Sequence, residues 1–323
     1  MNRRGFLATT LPTLLACSAL PRLASAADLA STLRLEVGAP PGGGTDFVAR
    51  SLAMGMTAEL KRTLVVENKP GAGGNIAANA VAQATGDAST LLMAYTSFAI
   101  NPSIQDNLPY DPVRSFTPIS LAATSPLILV CHPDLPVKNT AELLDYARKH
   151  PKELSIAGAG LGSASQMAGE MFKVQAKLDI VSVPYKGAAP AVQDILGKQV
   201  HLLMSDMATV QPLLRSGRLK PLGVSTPEPL AAYPNVPPIS QVLPDFNYRT
   251  WYGLFAPGGI PEDQAKALEQ AASASIKHPD IAQRLKQEGL DPVGSSRAEF
   301  TAFIQAEMKR WKAVATATGV RMG

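Results

Sequence analysis

Short apolar runs and helical repeats alternate along most of the chain. The first run, Leu33 to Val37, predicts a buried strand, and apolar residues then recur at every fourth position from Val48 to Leu60, which predicts an amphipathic helix. Further strands are predicted at 64–68, 91–95, 126–131, 154–157, 180–183, 200–204 and 249–256. Because helical patterns separate most of these runs, the sequence predicts an α/β fold with parallel sheets and right-handed crossovers.

Two segments break this alternation. Asn101 to Pro118 is predicted to be rich in loops, and Thr226 to Asp245 carries six prolines, which predict a stiff connection. Beyond them, Pro261 is predicted to begin a helix. The sequence Ser296-Arg297-Ala298-Glu299 has the spacing of a capping box, in which a serine and a glutamate satisfy the first N–H groups of a helix.

Glycine marks four of the strand-to-helix junctions. The first is Pro40-Pro41-Gly42-Gly43-Gly44-Thr45-Asp46, and the others lie at 69–75, 158–166 and 184–187. Glycines leave the backbone open to a ligand, and Thr45 or Asp46 is expected to cap the helix that follows, as Asn75 is at the second junction. Exposed N–H groups at the positive end of a helix favour a small anion. The alternative is a tight turn that binds nothing.

Composition and charge narrow the class of protein. The chain has 323 residues, 46% apolar and 17% charged, as expected for a folded protein of one large or two moderate domains. The formal charge of +4 falls when the first 26 residues are removed, because they contain three arginines and no acid. The remaining 27 basic and 26 acidic residues lack the charge excess of a nucleic-acid-binding protein.

The first 26 residues have the features of an export signal. Asn2-Arg3-Arg4-Gly5-Phe6-Leu7 matches a twin-arginine signal, an apolar stretch runs to Leu20, and Ala24-Ser25-Ala26 predicts cleavage before Ala27. Pro12 interrupts the apolar stretch, which is too short for a membrane span. A second interpretation remains open, because the sequence that ends at Cys17 resembles a lipoprotein cleavage site and would give a lipid anchor.

The sequence offers no catalytic or metal motif. Removal of the signal leaves only Cys131, which ends an apolar run and is interpreted as a buried thiol, so no internal disulfide is expected. The four histidines have no paired metal spacing, and C-x-x-C, G-x-S-x-G and phosphate-loop motifs are missing. We therefore predict a protein that is not an enzyme and that needs no cofactor and no metal.

Four segments, in order along the chain, resemble a known family. They are 39–46, 66–75, 108–112 and 183–187, which read APPGGGTD, VENKPGAGGN, LPYDP and VPYKG. Together they resemble the substrate-binding receptors of tripartite tricarboxylate transporters, the Bordetella uptake gene (Bug) or TctC-like family. The resemblance extends over nearly all of the chain that follows the export signal.

The resemblance implies a periplasmic binding protein of the two-domain type, similar to type II, with a ligand cleft between the domains. The chain would cross between domains near Ser125 and Thr250. This divides it into an export signal at 1–26, one domain of 27–124 with 250–323, and a second domain of 125–249. Each domain would hold a mostly parallel sheet flanked by helices, and a hinge would close them on the ligand.

The family pattern also implies ligand-binding residues, most of them acting through backbone amides and hydroxyls. Carried over to this sequence, the residues that hold a carboxylate are Gly43, Gly44, Thr45 and Asp46 in one domain and Gly162, Ser163 and Ser165 in the other, with Gln166 among the ligand-binding candidates beside them. Thr96, Ser97 and Asp206 are candidates for the far end of the ligand, or are simply residues at strand ends. Tyr185 and Lys186 complete the set, with a solvated turn lysine as the alternative for Lys186.

Three departures from the family pattern stand out. Gln166 occupies a position where the family usually has histidine, beside the expected ligand, so the ligand's identity is open. Asp87-Ala88-Ser89-Thr90 replaces the usual Asp-Gly-Tyr-Thr, and the segment 237–241 lacks the customary threonine and glutamate. The last two are expected to alter turns and surface.

The predicted function is therefore that of a periplasmic receptor. It would capture a small organic carboxylate and deliver it to a membrane transporter of the tripartite tricarboxylate type, acting as a monomer and without contact to nucleic acid. Two alternatives share the same sequence features: a ligand sensor for a signalling partner, and an exported α/β enzyme whose acids and bases are distant in sequence.

Overall fold

The computed structural model of this chain describes residues 29–322, except 85 and 87. The predicted export signal, the cleavage site before Ala27 and the alternative lipid anchor at Cys17 lie outside the described residues. So does Asp87, the first residue of one departure from the family pattern. In chain order the elements are β1 Thr32–Val37, α1 Gly44–Leu60, β2 Thr63–Asn68, α2 Asn75–Gln83, β3 Thr90–Tyr95, α3 Ser97–Ile104, β4 Phe116–Cys131, α4 Thr140–Lys149, β5 Ser155–Ala159, α5 Ala164–Ala176, β6 Val181–Tyr185, α6 Ala188–Leu196, β7 Leu202–Asp206, α7 Met207–Arg215, β8 Lys220–Val224, β9 Arg249–Pro257, α8 Glu262–Lys277, α9 Pro279–Gln287, β10 Asp291–Pro292 and α10 Arg297–Thr318.

The strands form one curled sheet in the order β2-β1-β3-β9-β4-β7-β5-β6, with β8 and β10 also paired to β4. The pairs among β1, β2 and β3 are parallel, and so are the pairs that join β5 to β6 and to β7. β4 and β9 run antiparallel to their partners. We call β1, β2, β3, β9 and β10 the first half-sheet and β5 to β8 the second half-sheet; β4 belongs to both.

Strand β4 connects the two half-sheets. Its residues up to Pro126 pair with β9, and from Leu127 onward it pairs with β7. Tyr95, at the carboxyl end of β3, pairs with Tyr252, which pairs in turn with Ala123 of β4. Asp206, at the carboxyl end of β7, pairs with Leu127. At about 3.3 Å per residue, only about 13 Å of β4 separates the levels at which these two strands end.

Helices cover both faces of the sheet. The helix α1 packs with α8 and α9 over one face of the first half-sheet, and α2 and α3 contribute to a core on the other face. The helix α10 reaches across and packs against both α3 and α5. Trp251 and Trp311 are fully buried in this core, and Trp251 contacts Phe300 and Phe303 edge-on.

Most strands and helices agree with the sequence prediction, and the predicted capping box is confirmed, because the Ser296 and Glu299 side chains both accept the expected backbone N–H groups. The prediction of a loop across 101–118 was wrong at both ends. The helix α3 extends to Ile104 despite its internal Pro102, and β4 begins at Phe116. Burial explains the difference, because the ring of Phe98 in α3 packs edge-on against Phe116 and at a tilt against Phe255, and this packing outweighs the weak local pattern.

The single cysteine of the described chain is buried, as predicted. Cys131 lies at the end of β4 with no exposed surface, and burial raises the pKa of its thiol to about 11. A thiol that stays protonated at neutral pH is a poor nucleophile. Within residues 29–322, apart from 85 and 87, we find no helix of the length and apolarity that crossing a bilayer requires.

Candidate functional site

The turn between β1 and α1 presents free backbone donors. Gly42 has a φ of +85°, which favours glycine, and Gly43 is the N-cap residue, without any side-chain cap. In the described part of the chain, no acceptor meets the N–H groups of Gly44, Thr45 and Asp46. Gly43 and Gly44 are exposed, whereas Thr45 and Asp46 are buried, so the Gly44 N–H is the donor that lies at an exposed residue, at the positive end of a helix of 17 residues.

Asp46 holds this turn together with its side chain. It is the third residue of α1, so the prediction that Thr45 or Asp46 occupies the cap position was wrong. Its carboxylate accepts hydrogen bonds from Gly42 N at 3.1 Å, Arg50 Nε at 2.9 Å and Asn68 Nδ2 at 2.9 Å. Burial opposes ionisation, but these hydrogen bonds outweigh it and lower the pKa of Asp46. Arg50 balances the charge, so the turn can accept an anion.

Two tyrosines that the sequence analysis did not single out lie beside the glycine turns. Tyr95 and Tyr252 are paired across β3 and β9, which places both side chains on one face of the sheet. A Cβ atom on Gly44 would lie 2.8 Å from the Tyr252 hydroxyl oxygen, and one on Gly74 would lie 3.1 Å from the Tyr95 ring. Only the position of Tyr95 at the end of a predicted strand hinted at this, because the pairing with Tyr252 is long-range.

Tyr252 keeps its proton at neutral pH. Burial, and next the negative charge of Asp206, raise the pKa of Tyr252 to about 12. Asp206 lies at the carboxyl end of β7, so a charge of the second half-sheet acts on a tyrosine of the first half-sheet.

Thr96 and Ser97 hold neighbouring parts of the fold together through their hydroxyls. Both are buried at the start of α3. The hydroxyl of Thr96 accepts a hydrogen bond from Trp251 N at 3.1 Å and so anchors β3 to β9. The hydroxyl of Ser97 donates to the carbonyl oxygen of Gly162 at 3.2 Å, so the turn before α5 rests against α3.

The turn between β5 and α5 uses some of its own donors. Ser163 caps α5 and accepts from Gln166 N at 3.2 Å. However, Gly162 N donates to the Gln166 side-chain oxygen at 2.7 Å, and Ser163 N donates to Gly160 O at 3.0 Å. The expectation that the Gly162 and Ser163 amides are open to a ligand therefore needs correction, because both have acceptors inside the turn.

The free donors of the turn between β5 and α5 follow Ser163, in the first turn of α5. Across the described residues, the N–H groups of Ala164 and Ser165 meet no acceptor. The hydroxyl of Ser165 donates to the carbonyl oxygen of Met204 in β7, so only its amide is open. The positive end of α5 thus offers the same kind of donor group as α1.

The remaining predicted site residues of the second half-sheet are Tyr185, Asp206 and Lys186. Two of them make hydrogen bonds to neighbouring residues, and the third is exposed. The Tyr185 hydroxyl donates to the Asp194 carboxylate at 2.7 Å, and burial together with Asp194 raises the pKa of Tyr185 to about 12. Asp206 caps α7 by accepting hydrogen bonds from the backbone and hydroxyl of Thr209, both at 2.9 Å. Lys186 is exposed and has no ion pair with any described residue.

The second glycine junction is structural. The N-cap of α2 is Gly74, so the prediction that Asn75 caps this helix was wrong. The buried side-chain oxygen of Asn75 accepts from Asn101 at 2.7 Å and from the Tyr110 hydroxyl at 2.6 Å. This network ties the segment 108–112 to the glycine turn.

Two grooves lie at other places along β4. One, of about 460 Å³, is lined by residues that include Thr124, Arg249, Glu307 and Arg310. The other, of about 600 Å³, lies between α7 and the segment 286–291. Among the described residues, no cluster of histidine, cysteine and acidic side chains is arranged to hold a metal ion.

Comparison with known proteins gives a consistent result. The family described as "Tripartite tricarboxylate transporter family receptor" matches residues 48–320. The chain is 30% identical to Protein BugT of Bordetella pertussis over 91% of each sequence. A Rhodopseudomonas palustris protein solved with adipate is 31% identical, with a TM-score of 0.78 over 90% of this chain and 98% of its own. MatC of the same species, solved with malate, is 32% identical, with a TM-score of 0.72 over 88% and 98%.

The α/β fold agrees with the structural similarities. The resemblance found in the sequence is therefore confirmed. The chain belongs to the receptor family of the tripartite tricarboxylate transporters, whose members are periplasmic solute-binding proteins of the Bug and TctC type and not enzymes.

Proposed function

We propose that this receptor captures a small organic carboxylate between two lobes and delivers it to a tripartite tricarboxylate membrane transporter. The lobes are residues 27–124 with 250–323, and residues 125–249. The observation that carries the proposal is the pair of free helix N-termini, at α1 in one lobe and α5 in the other. Contacts that involve Tyr252, Ser97 and Gly162 join the neighbourhoods of these two termini.

A carboxylate suits these donors for a simple physical reason. Backbone N–H groups that point out of a helix N-terminus bind negative charge, and a hydrogen bond to a charged acceptor is about twice as strong as a neutral one. The adipate and malate in the two R. palustris relatives are carboxylates, and we transfer that chemical class to this chain. The free donors at the first site are backbone amides at Gly44, Thr45 and Asp46, which select for charge and leave the rest of the ligand to other residues.

Closure of the lobes would make capture selective. The partner of β4 changes between Pro126 and Leu127, which supports a hinge at this level, together with the start of β9. A carboxylate can contact both helix termini only in the closed form. Its binding therefore shifts the population toward the closed form to the extent that this form binds the carboxylate more tightly than the open form does. The closed form is then the one that the transporter recognises. We propose that the receptor works as a monomer in the periplasm.

A thermal shift experiment tests this function. The protein without residues 1–26 is heated with malate, adipate, citrate or benzoate at about 1 mM. At a concentration 100 times the Kd a ligand adds about 2.7 kcal/mol, so at least one acid is expected to raise the Tm by about 4–5 °C.

Adipamide is the matched control for adipate, because it has the same length and carries no charge. It is expected to leave the Tm unchanged. The proposal is contradicted if none of the four acids raises the Tm, or if adipamide raises it as much as adipate does.

A further inference from the structure

Gln166 makes two hydrogen bonds to its own turn. Its side-chain oxygen accepts from Gly162 N at 2.7 Å, and its backbone N–H donates to the Ser163 hydroxyl at 3.2 Å. The residue is only 8% exposed although it lies in the first turn of α5, beside the free amides of Ala164 and Ser165. The uncharged side-chain oxygen of Gln166 therefore accepts a hydrogen bond from the Gly162 N–H, which could otherwise bind a ligand oxygen.

The surrounding residues make room for this side chain. A Cβ atom on Gly158 would lie 2.8 Å from Cγ and 3.0 Å from Cβ of Gln166, so a larger residue at position 158 would push the glutamine out. Gly162 has a φ of +70° and is itself buried, and a Cβ there would lie 2.7 Å from Ile104. The position of Gln166 thus depends on two glycines and on the contact of this turn with α3.

From this geometry we propose that Gln166 is a positioning residue that determines which amides hold the ligand. By binding Gly162 N–H it removes that donor and directs the carboxylate to the amides of Ala164 and Ser165. This inference rests on the proposed function. It applies to this chain because glutamine, where the family pattern leads us to expect histidine, supplies an uncharged acceptor of this reach.

The charge of this acceptor is the testable part. An amide oxygen can lie near a bound carboxylate at little cost, whereas a second carboxylate at the same place would repel it. Gln166→Glu keeps the size of the side chain and an acceptor for Gly162 N–H, but adds a negative charge. Gln166→Met keeps an unbranched side chain of similar length and removes the acceptor. The two variants separate the hydrogen bond from the charge.

Hydrogen exchange of the Gly162 amide, measured by NMR on protein labelled with 15N-glycine, tests the hydrogen bond without any ligand. We expect exchange at Gly162 to be at least about 10-fold faster in Gln166→Met than in the wild type, and close to the wild-type rate in Gln166→Glu. The Gly44 amide serves as an internal control and should exchange equally in all three proteins. Equal exchange at Gly162 in the wild type and Gln166→Met overturns the inference.

Calorimetric titration with malate and with adipate tests the effect on the ligand. For whichever acid the wild type binds, Gln166→Glu is expected to weaken binding at least about 10-fold at pH 7. The loss should shrink as the pH falls and the introduced carboxylate is protonated. Gln166→Met should weaken binding less, and its Gly162 amide should become more protected from exchange when ligand is added.

The possible failures are distinct. If the wild type binds an acid and Gln166→Glu binds it equally well, the inference about Gln166 is wrong and the proposed function stands. If the wild type binds neither malate nor adipate, nor any other acid of the thermal panel, the proposed function and the inference both fail.

Discussion

A side chain at position 44 would collide with Tyr252. A methyl group there would lie 2.8 Å from the Tyr252 hydroxyl oxygen, whereas a methyl group on the adjacent Gly43 would meet nothing closer than 3.9 Å. Both glycines are exposed, and Gly43 has an ordinary φ of −88°. Substitutions at these two positions therefore test whether the close contact with Tyr252 at this turn affects carboxylate binding.

Gly44→Ala is expected to weaken carboxylate binding, because the new methyl group must displace the Tyr252 hydroxyl from the turn. A displacement that costs about 1–2 kcal/mol lowers the affinity about 5- to 30-fold. Gly43→Ala is expected to change it less than about 2-fold. Titration of both variants with the most strongly binding acid of the thermal panel measures the difference. Equal affinities for the two variants would show that Tyr252 does not shape the site.

At the level of elements, the first turn of α1 depends on the Asp46 carboxylate, whose side chain is 6% exposed. Asp46→Asn is expected to lower the free energy of unfolding at pH 7 by about 1–2 kcal/mol, since it weakens the hydrogen bonds from Gly42, Arg50 and Asn68. Arg50 is 53% exposed, so the ion pair itself adds little.

The effect of Asp46→Asn has a definite pH dependence. Because folding lowers the pKa of Asp46, its ionised form stabilises the fold. This stabilisation is fully present above the ordinary aspartate pKa of about 4 and is lost as the pH falls through the lower folded value. Urea unfolding of the variant and the wild type at several pH values should therefore show a difference that disappears in acid. The exposed Asp106→Asn is the control, and a difference that is constant with pH would contradict this assignment.

Periodicity was sufficient to predict most elements. The alternation of strands and helices and the capping box at Ser296 are local patterns, and they are found as expected. The helix α3 was missed because its stability comes from Phe98 packing against distant strands. Glycine spacing located the turns, but not which amides stay free, because that depends on side chains such as Asp46 and Gln166, which accept hydrogen bonds from Gly42 N and Gly162 N.

At the level of the whole molecule, the segment after α10 lies between α3 and the turn before α5. The backbone N–H of Met322 donates to Ile104 O at 2.7 Å, and the Met322 sulfur would lie 3.1 Å from a Cβ atom on Gly162. This segment thus lies on α3 and supports the turn before α5. Contacts of this kind favour closure if they form more fully in the closed state.

Truncation after Gly319 is expected to weaken carboxylate binding about 5-fold, the equivalent of about 1 kcal/mol, because the turn at Gly162 loses its support. Met322→Leu keeps an apolar side chain of similar size and is expected to bind like the wild type. Calorimetric titration of both proteins measures the effect. A truncated chain that binds as tightly as the full chain would assign the segment a purely local role.

The central claim is that one carboxylate is held between the N-termini of α1 and α5. A crystal structure with the most strongly binding acid of the thermal panel tests it most directly. We predict a ligand carboxylate within hydrogen-bonding distance, about 2.7–3.2 Å, of the amides of Gly44 or Thr45 on one side and of Ala164 or Ser165 on the other. A ligand bound instead in the groove lined by Arg249 and Arg310, with both helix termini left to solvent, would contradict the claim.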